Sequence, residues 1–373
     1  MLFFLAAIYF LSNRSARTYL TEQLGKKSMY LLVFWIGMVL NCAYSFSPLA
    51  TLYGSFKLLE MVGIGFLFIY FLARRNRSWL IVPFLMGTSV QALLAIWQYL
   101  LQSSVGGVWY YLGERAFTGL TPGIANASIA GHLVLRPYGT LPHPNLLGAY
   151  LLIGAMLLLY LVMKGEYEKR TKIILTCSLS LHAVALLITL SRTSIIAGCV
   201  GLLVVLLSKR SNANQIVRTF IVLSVFFMLV LLPTLVPRFM NVFTDQSYGE
   251  RMQYTRESIQ LIKSHIIMGV GWNAYLPSLE TLPHVSTIQP VHSIYLLTLA
   301  QAGAVGAVII AYPVYVFIGR IKAMKSRFAY VLLGILLFLG AFDHYFLTIQ
   351  QGQLLFVFLV ALIVTQNNSV INV

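Results

Sequence analysis

The chain has 373 residues, of which 59% are hydrophobic and only 10% charged, and its mean hydropathy is +0.82. So much apolar surface exceeds what a soluble core can bury, which excludes a soluble globular protein and leaves an integral membrane protein. The net charge of +16 follows mainly from membrane topology, as shown below, and calls for no nucleic-acid partner.

Apolar runs of about 15 to 26 residues have the length an α-helix needs to cross roughly 30 Å of hydrocarbon. In chain order they lie near residues 29–44, 48–73, 79–101, 145–163, 172–190, 193–208, 216–236, 291–318, 328–341 and 347–365. A further candidate, MLFFLAAIYFL at residues 1–11, is too short to cross alone and lacks the basic start and small-residue cleavage site of a signal peptide. The pattern reads as an all-α polytopic membrane protein with about ten to eleven transmembrane helices. Residues 1–373 form one transmembrane domain, with two larger segments outside the bilayer, 103–144 and 237–290, and a helical stretch near 240–290 in the second.

Basic residues fall on alternate loops. One set carries Arg14, Arg17, Lys26 and Lys27, then Arg74, Arg75 and Arg77, then Lys164, Lys169, Arg170 and Lys172, then Lys209, Arg210 and Arg218, then Arg320, Lys322, Lys325 and Arg327. That is 18 of the 26 lysines and arginines, and cytoplasmic loops are the ones enriched in both. The other set, residues 45–47, 103–144, 190–193, 237–290 and 342–346, therefore faces outward. Contact with anionic lipid suits the basic side. Cys42, Cys177 and Cys199 sit in helices at different depths, with neither a zinc spacing nor a disulfide partner.

Six of the seven histidines, His132, His143, His265, His284, His292 and His344, fall on or beside the outward side, and His182 alone lies mid-membrane. In LRPYGTLPHPNLLGAYL, Pro144 can open a helix because its missing N–H would be unsatisfied there anyway. Arg136, His143 and Asn145 gather just outside that helix mouth, where free N–H groups and a positive dipole end suit phosphate. Arg192, in TLSRTSIIAG, marks the outward tip of a hairpin between two spans. It either snorkels to the interface or, if enclosed by other helices, takes an anionic partner. In SYGERMQYTRESIQLIKSHIIMGVGWNAYLP, Ile259, Ile262 and Ile266 trace one face and Arg251, Thr255 and Ser258 another, as in an amphipathic helix on the outer surface. Arg256 occupies its solvated side. Finally, IQPVHSIYLLTLAQAGAVG sets His292 two residues after Pro290, at the mouth of an apolar helix.

Taken together, RPYGTLPHPNLLGAYLL, LSRTSIIAG, ERMQYTRESIQLIKSHIIMGVGWNAY and VHSIYLLTLAQAGAVGAV resemble the O-antigen ligase and O-antigen polymerase superfamily over roughly residues 130–310. Two positions depart from its pattern: Ser293 follows His292 where members usually carry asparagine, and Thr193 follows the Ser-Arg pair where glycine is usual. The resemblance implies a membrane glycosyltransferase of the GT-C type that uses neither a metal nor another cofactor. It would take a glycan from undecaprenyl diphosphate on the outer face of the bacterial cytoplasmic membrane. The partners implied are that lipid-linked donor, a glycan, lipid or protein acceptor, and the surrounding membrane lipids.

By motif, Arg192 and Arg251 would hold the diphosphate, and His292 would activate the acceptor hydroxyl in a cavity shared with both. Fixed guanidinium groups suit a leaving diphosphate because they meet developing charge with bidentate bonds, and a histidine is a suitable base for a sugar hydroxyl. Arg136, His143, Asn145, Arg256 and Asp343 are further substrate-binding candidates. Asp343 and His344 either orient His292 or the acceptor or simply face water. The competing readings of His292 are a helix cap and a cationic phosphate ligand. The same donor chemistry serves a ligase, a polymerase and a protein O-oligosaccharyltransferase. A transporter is the reading from another class. It would place ionisable residues or broken helices near the midplane, a depth that His182, Lys57 and Glu60 approach. The small residues Ala300, Ala302, Gly303, Ala304 and Gly306 fit close helix packing behind His292.

Overall fold

The computed structural model describes residues 8–25, 28–129, 132–164, 167–206, 246–283, 288–324 and 326–366, with single residues 232, 236, 240 and 285. Its elements, in chain order, are α1 (Arg14–Gly25), α2 (Ser28–Ala43), α3 (Pro48–Arg74), α4 (Ser78–Leu101), α5 (Val108–Tyr111), β1 (Asn126–Ile129), β2 (His132–Leu135), α6 (Pro144–Lys164), α7 (Lys169–Ile188) and α8 (Arg192–Leu206). There follow α9 (Gln246–Ser264), α10 (Tyr275–Leu279), α11 (Ile294–Met324), α12 (Arg327–Phe342), α13 (Tyr345–Thr348) and α14 (Gln350–Thr365). By length and composition α3, α4, α6, α7 and α11 can cross a membrane, and α2, α8, α12 and α14 contain shorter apolar helices. The protein is mostly helical and polytopic, as its composition requires. The span expected at 216–236 lies outside the described residues except for two positions, as do residues 1–7.

Two departures from the expected elements have local causes. Residues 12–27, expected as a basic loop, are largely the helix α1. Phe10, Ala16 and Tyr70 form a small buried cluster, and the Tyr70 hydroxyl donates to Ser15 Oγ at 3.2 Å. Ala16, Tyr19 and Leu20 supply a helical apolar spacing in a segment too polar to register as a span. The second departure is an antiparallel hairpin, in which Asn126 faces Leu135 and Ala127 faces Val134. Its short runs NASI and HLVL are extended, not helical.

The chain divides into two compact units. Unit one is Met1–Asn76, Gln246–Tyr330 and Gly340–Asn368, and unit two is Arg77–Asp245, Val331–Leu339 and Ser369–Val373. In unit two, α6 is buried nearly all round, with Leu146, Leu147, Leu151, Leu152 and Leu157 fully enclosed, as befits a central helix. Gly154 on α6 leaves room for a polar contact between its neighbours, since a Cβ there would meet Thr88 Oγ1 at 2.7 Å and His182 Nε2 at 2.9 Å. His182 bonds through Nε2 to Thr88 Oγ1 at 2.9 Å and through Nδ1 to Ser178 O at 2.8 Å.

In unit one, α9 is too rich in charge to lie in hydrocarbon. It buries Tyr254 and Leu261 in a cluster with Val270, Tyr275, Leu279, Val291, Leu297 and Ala300. Each leucine withdrawn fully from water there contributes roughly 1.5–3 kcal/mol. The expected span at 291–318 is observed as α11, but it is broken. Gly303 takes φ 61° and ψ −166°, a conformation that glycine alone adopts readily. Residues 266–271 fill the break: Val270 and Gly271 N–H donate to Ala300 and Gln301 carbonyls at 2.9 and 3.0 Å, and Ala304 and Val305 N–H donate to Ile266 and Ile267 carbonyls at 2.8 and 3.1 Å. Gly303 thus makes a joint in the helix where its neighbouring small residues were expected only to pack closely.

Candidate active site

Unit one gathers His292, Asp343, His344, Tyr254 and Arg251 from three separate stretches of chain. Pro290 does not open α11. Ser293 occupies its N-cap position, with its carbonyl accepting from Leu297 N–H at 3.0 Å, so His292 stands two residues before the first helical residue. Ser293 is a favourable residue at such a position. The loop between α12 and α14 brings in Asp343, which is 4% exposed. His292 Nδ1 lies 3.5 Å from Asp343 Oδ1, within ion-pair reach, and Nδ1 is buried with no hydrogen bond among the described residues. A base and its orienting carboxylate are often this loose before substrate arrives.

His344 lies on the other side of the pair, its ring centroid 5.0 Å from that of His292. Its backbone N–H donates to Asp343 Oδ1 at 2.8 Å, and its Nδ1 is 2.6 Å from Thr348 Oγ1. Burial pushes the His344 imidazole down to about 4, opposed by Asp343 and assisted by His292 and Arg251, so it is neutral at pH 7. Tyr254 on α9 stacks against His292 with centroids 6.0 Å apart.

Arg251, three residues earlier on α9, donates through Nη1 to Phe342 O at 3.0 Å, which brings a guanidinium to the loop that carries Asp343. Arg256 is exposed and lies on a different face of α9. The imidazole nitrogens and the carboxylate of His292, Asp343 and His344 all lie within 4.8 Å of one another, and such a trio has donors suited to a divalent ion.

Unit two holds the remaining sequence candidates. Arg136 is 6% exposed and Asn145 is equally buried. Arg136 donates from Nε to Thr189 O at 2.8 Å and from Nη2 to Asn145 Oδ1 at 2.6 Å. His143 supports the start of α6, where its carbonyl accepts from Leu146 and Leu147 N–H at 3.1 Å and its Nδ1 accepts from Asn145 N–H at 3.1 Å. These contacts tie the mouth of α6 to the turn that precedes Arg192. Within that turn Leu190 takes φ 51°, and Ser191 and Ser194 hydroxyls lie 3.1 Å apart. Arg192 itself opens α8 and is half-buried.

Sequence reasoning missed several residues that hold these parts in place. Buried Asn41 on α2 donates to Met268 O at 2.8 Å and Gln301 O at 3.0 Å, and it accepts from Trp272 N–H at 2.7 Å. In unit two, fully buried Gln98 donates to Glu114 Oε1 at 2.7 Å and to Gly139 O at 3.0 Å. Glu114 in turn accepts from Val105 and Gly106 N–H. The available signal was an amide side chain inside an apolar span, which needs a buried partner.

A family model described as O-antigen ligase matches residues 175–311. The match supports the O-antigen ligase and polymerase superfamily, and the matched stretch contains Arg192, Arg251 and His292. A search of curated proteins gives no match.

Proposed function

We propose that the chain is a metal-independent glycosyltransferase of surface polysaccharide assembly, which takes a glycan from undecaprenyl diphosphate and passes it to an acceptor hydroxyl on the outer face of the bacterial cytoplasmic membrane. The observation that carries this reading is the His292 and Asp343 pair, 3.5 Å apart, beside the Arg251 guanidinium. The acceptor hydroxyl gives its proton to His292, and its oxygen bonds to the anomeric carbon. The bond from that carbon to the diphosphate oxygen breaks, and the diphosphate leaves with the electron pair. Asp343 stabilises the imidazolium and selects the tautomer, as a carboxylate does beside a catalytic histidine. Arg251 and Arg192 are the cations we assign to the diphosphate, by motif and by their bidentate chemistry.

The transporter reading draws little support from the ionisable groups within the helices. His182 is bonded to Thr88 and Ser178, Lys57 pairs with Glu60 at 2.6 Å, and the break in α11 is filled by residues 266–271.

The deciding experiment reconstitutes the full chain with an undecaprenyl-diphosphate-linked glycan and offers lipid, glycan and peptide acceptors in the presence of EDTA. Transfer to one acceptor class, with release of undecaprenyl diphosphate at an undiminished rate, is the expected result. No release with any acceptor overturns the reading. A loss reversed by divalent cations assigns His292, Asp343 and His344 to a metal instead.

Orientation has its own test. In a background without Cys42, Cys177 and Cys199, Leu120→Cys and Glu280→Cys react with an impermeant thiol reagent in intact cells, and Glu168→Cys does not. Labelling of position 168 alone would invert the charge-based topology.

A further inference from the structure

Helix α9 carries a second stripe that the chemistry above does not use. Gly249, Met252, Gln253, Arg256, Glu257 and Gln260 recur at three- and four-residue intervals and share one face, about half a turn from Arg251, Tyr254 and Ser258. With Tyr248 and Pro283 they line an open cavity of about 820 Å³, within the size range of small-molecule sites. Glu257 is 8% exposed. Its Oε1 accepts from Gln253 Nε2 at 2.8 Å, while its Oε2 is buried with no hydrogen-bonding partner among the described residues. An unsatisfied buried carboxylate oxygen is costly, and Glu257 is one of the residues that line the cavity.

The lining selects the ligand. A carboxylate in the lining disfavours a phosphate, and two glutamines, an arginine and a glutamate disfavour a lipid tail. Sugar hydroxyls both donate and accept, so they match a carboxylate, two amides and a guanidinium together. The apolar surfaces of Tyr248, Met252 and Pro283 suit the C–H faces of a pyranose ring.

We propose that this cavity is a saccharide subsite that holds a glycan unit removed from the bond being made, with Glu257 as one of its acceptors. The inference rests on the transfer reading above and adds where a substrate's remote sugars are held. Such remote contacts supply binding energy without touching the reacting atoms. The glycan belongs either to the donor or to the acceptor, and kinetics distinguish the two.

The test compares the reconstituted wild-type chain with Glu257→Gln, which keeps the side chain's shape, and Gln260→Ala, which alters an exposed position. Loss of a hydrogen bond to a charged group predicts a KM about 10-fold higher for one substrate, with kcat nearly unchanged. Whichever KM rises identifies the source of the glycan. In a second arm, the saccharide released from the donor by mild acid is added to each protein and observed by saturation-transfer NMR. If the donor supplies the glycan, wild type and His292→Ala transfer saturation to it and Glu257→Gln does not. If the acceptor supplies it, the same contrast appears with the acceptor glycan. Unchanged KM values and unchanged saturation transfer in both variants overturn the subsite and leave the transfer reading standing. A loss confined to kcat also overturns it, because Glu257 would then act on the reaction centre. If wild type performs no transfer, the transfer reading fails and the NMR arm alone decides the subsite.

Discussion

Replacing His292 by alanine lowers turnover by about 100- to 10,000-fold, the range for a lost general base, while donor affinity changes little. The proposed roles predict both halves of that result. The ring sits outside α11 with Nδ1 toward Asp343, as a proton acceptor needs, and the arginines assigned to the diphosphate remain in place in the variant. Single-turnover rates and donor affinity measured on the same protein separate the readings. Lost affinity with unchanged chemistry makes His292 a phosphate ligand, and no change in either makes it a helix cap. His344 does not stand in as the phosphate's cation, because burial holds it at about 4 and it is uncharged at pH 7.

Replacing Arg192 or Arg251 by alanine abolishes transfer in proteins that remain folded, and lysine restores little. A guanidinium presents two parallel donors to a phosphate, whereas an ammonium is a point charge on a flexible stem. Arg251 adds a structural demand, since its Nη1 also holds Phe342 O at 3.0 Å, next to Asp343. Lysine at 251 must therefore replace two functions with one nitrogen. Arg256→Ala loses far less and loses it in KM, not in kcat, because Arg256 lies on another face of α9 and lines the saccharide cavity there. Near-normal turnover in both alanine variants would reduce Arg192 and Arg251 to interfacial anchors.

Much of the helix inventory was legible because the bilayer demands long apolar runs, and nine of the ten expected spans coincide with apolar helices among the described residues. Two features escaped for physical reasons. Helix α1 is too polar to resemble a span, yet it packs through Ala16 and Tyr19. The break at Gly303 is set by hydrogen bonds to residues 266–271, which no local pattern encodes. The nearness of Asp343 to His292 was one of the alternatives the sequence offered, because both fall on the outward side, but hydropathy carries no information that would choose it over a surface position for Asp343. Arg136 and Asn145 show the converse: as polar residues at a helix mouth they looked like ligands for a phosphate, and in the structure they bond to each other and to Thr189 O.

The contacts of Asn41 also set an order of events during synthesis. Its partners at Met268, Trp272 and Gln301 follow it by 227, 231 and 260 residues. At about 5–20 residues per second, the ribosome needs roughly 10 to 50 s to deliver them. Helix α2 thus reaches the membrane with an unmet amide in its apolar sequence, and it must borrow water or a neighbour's polar group until Met268, Trp272 and Gln301 have been made. A helix made well before its partners is among the last to be completed.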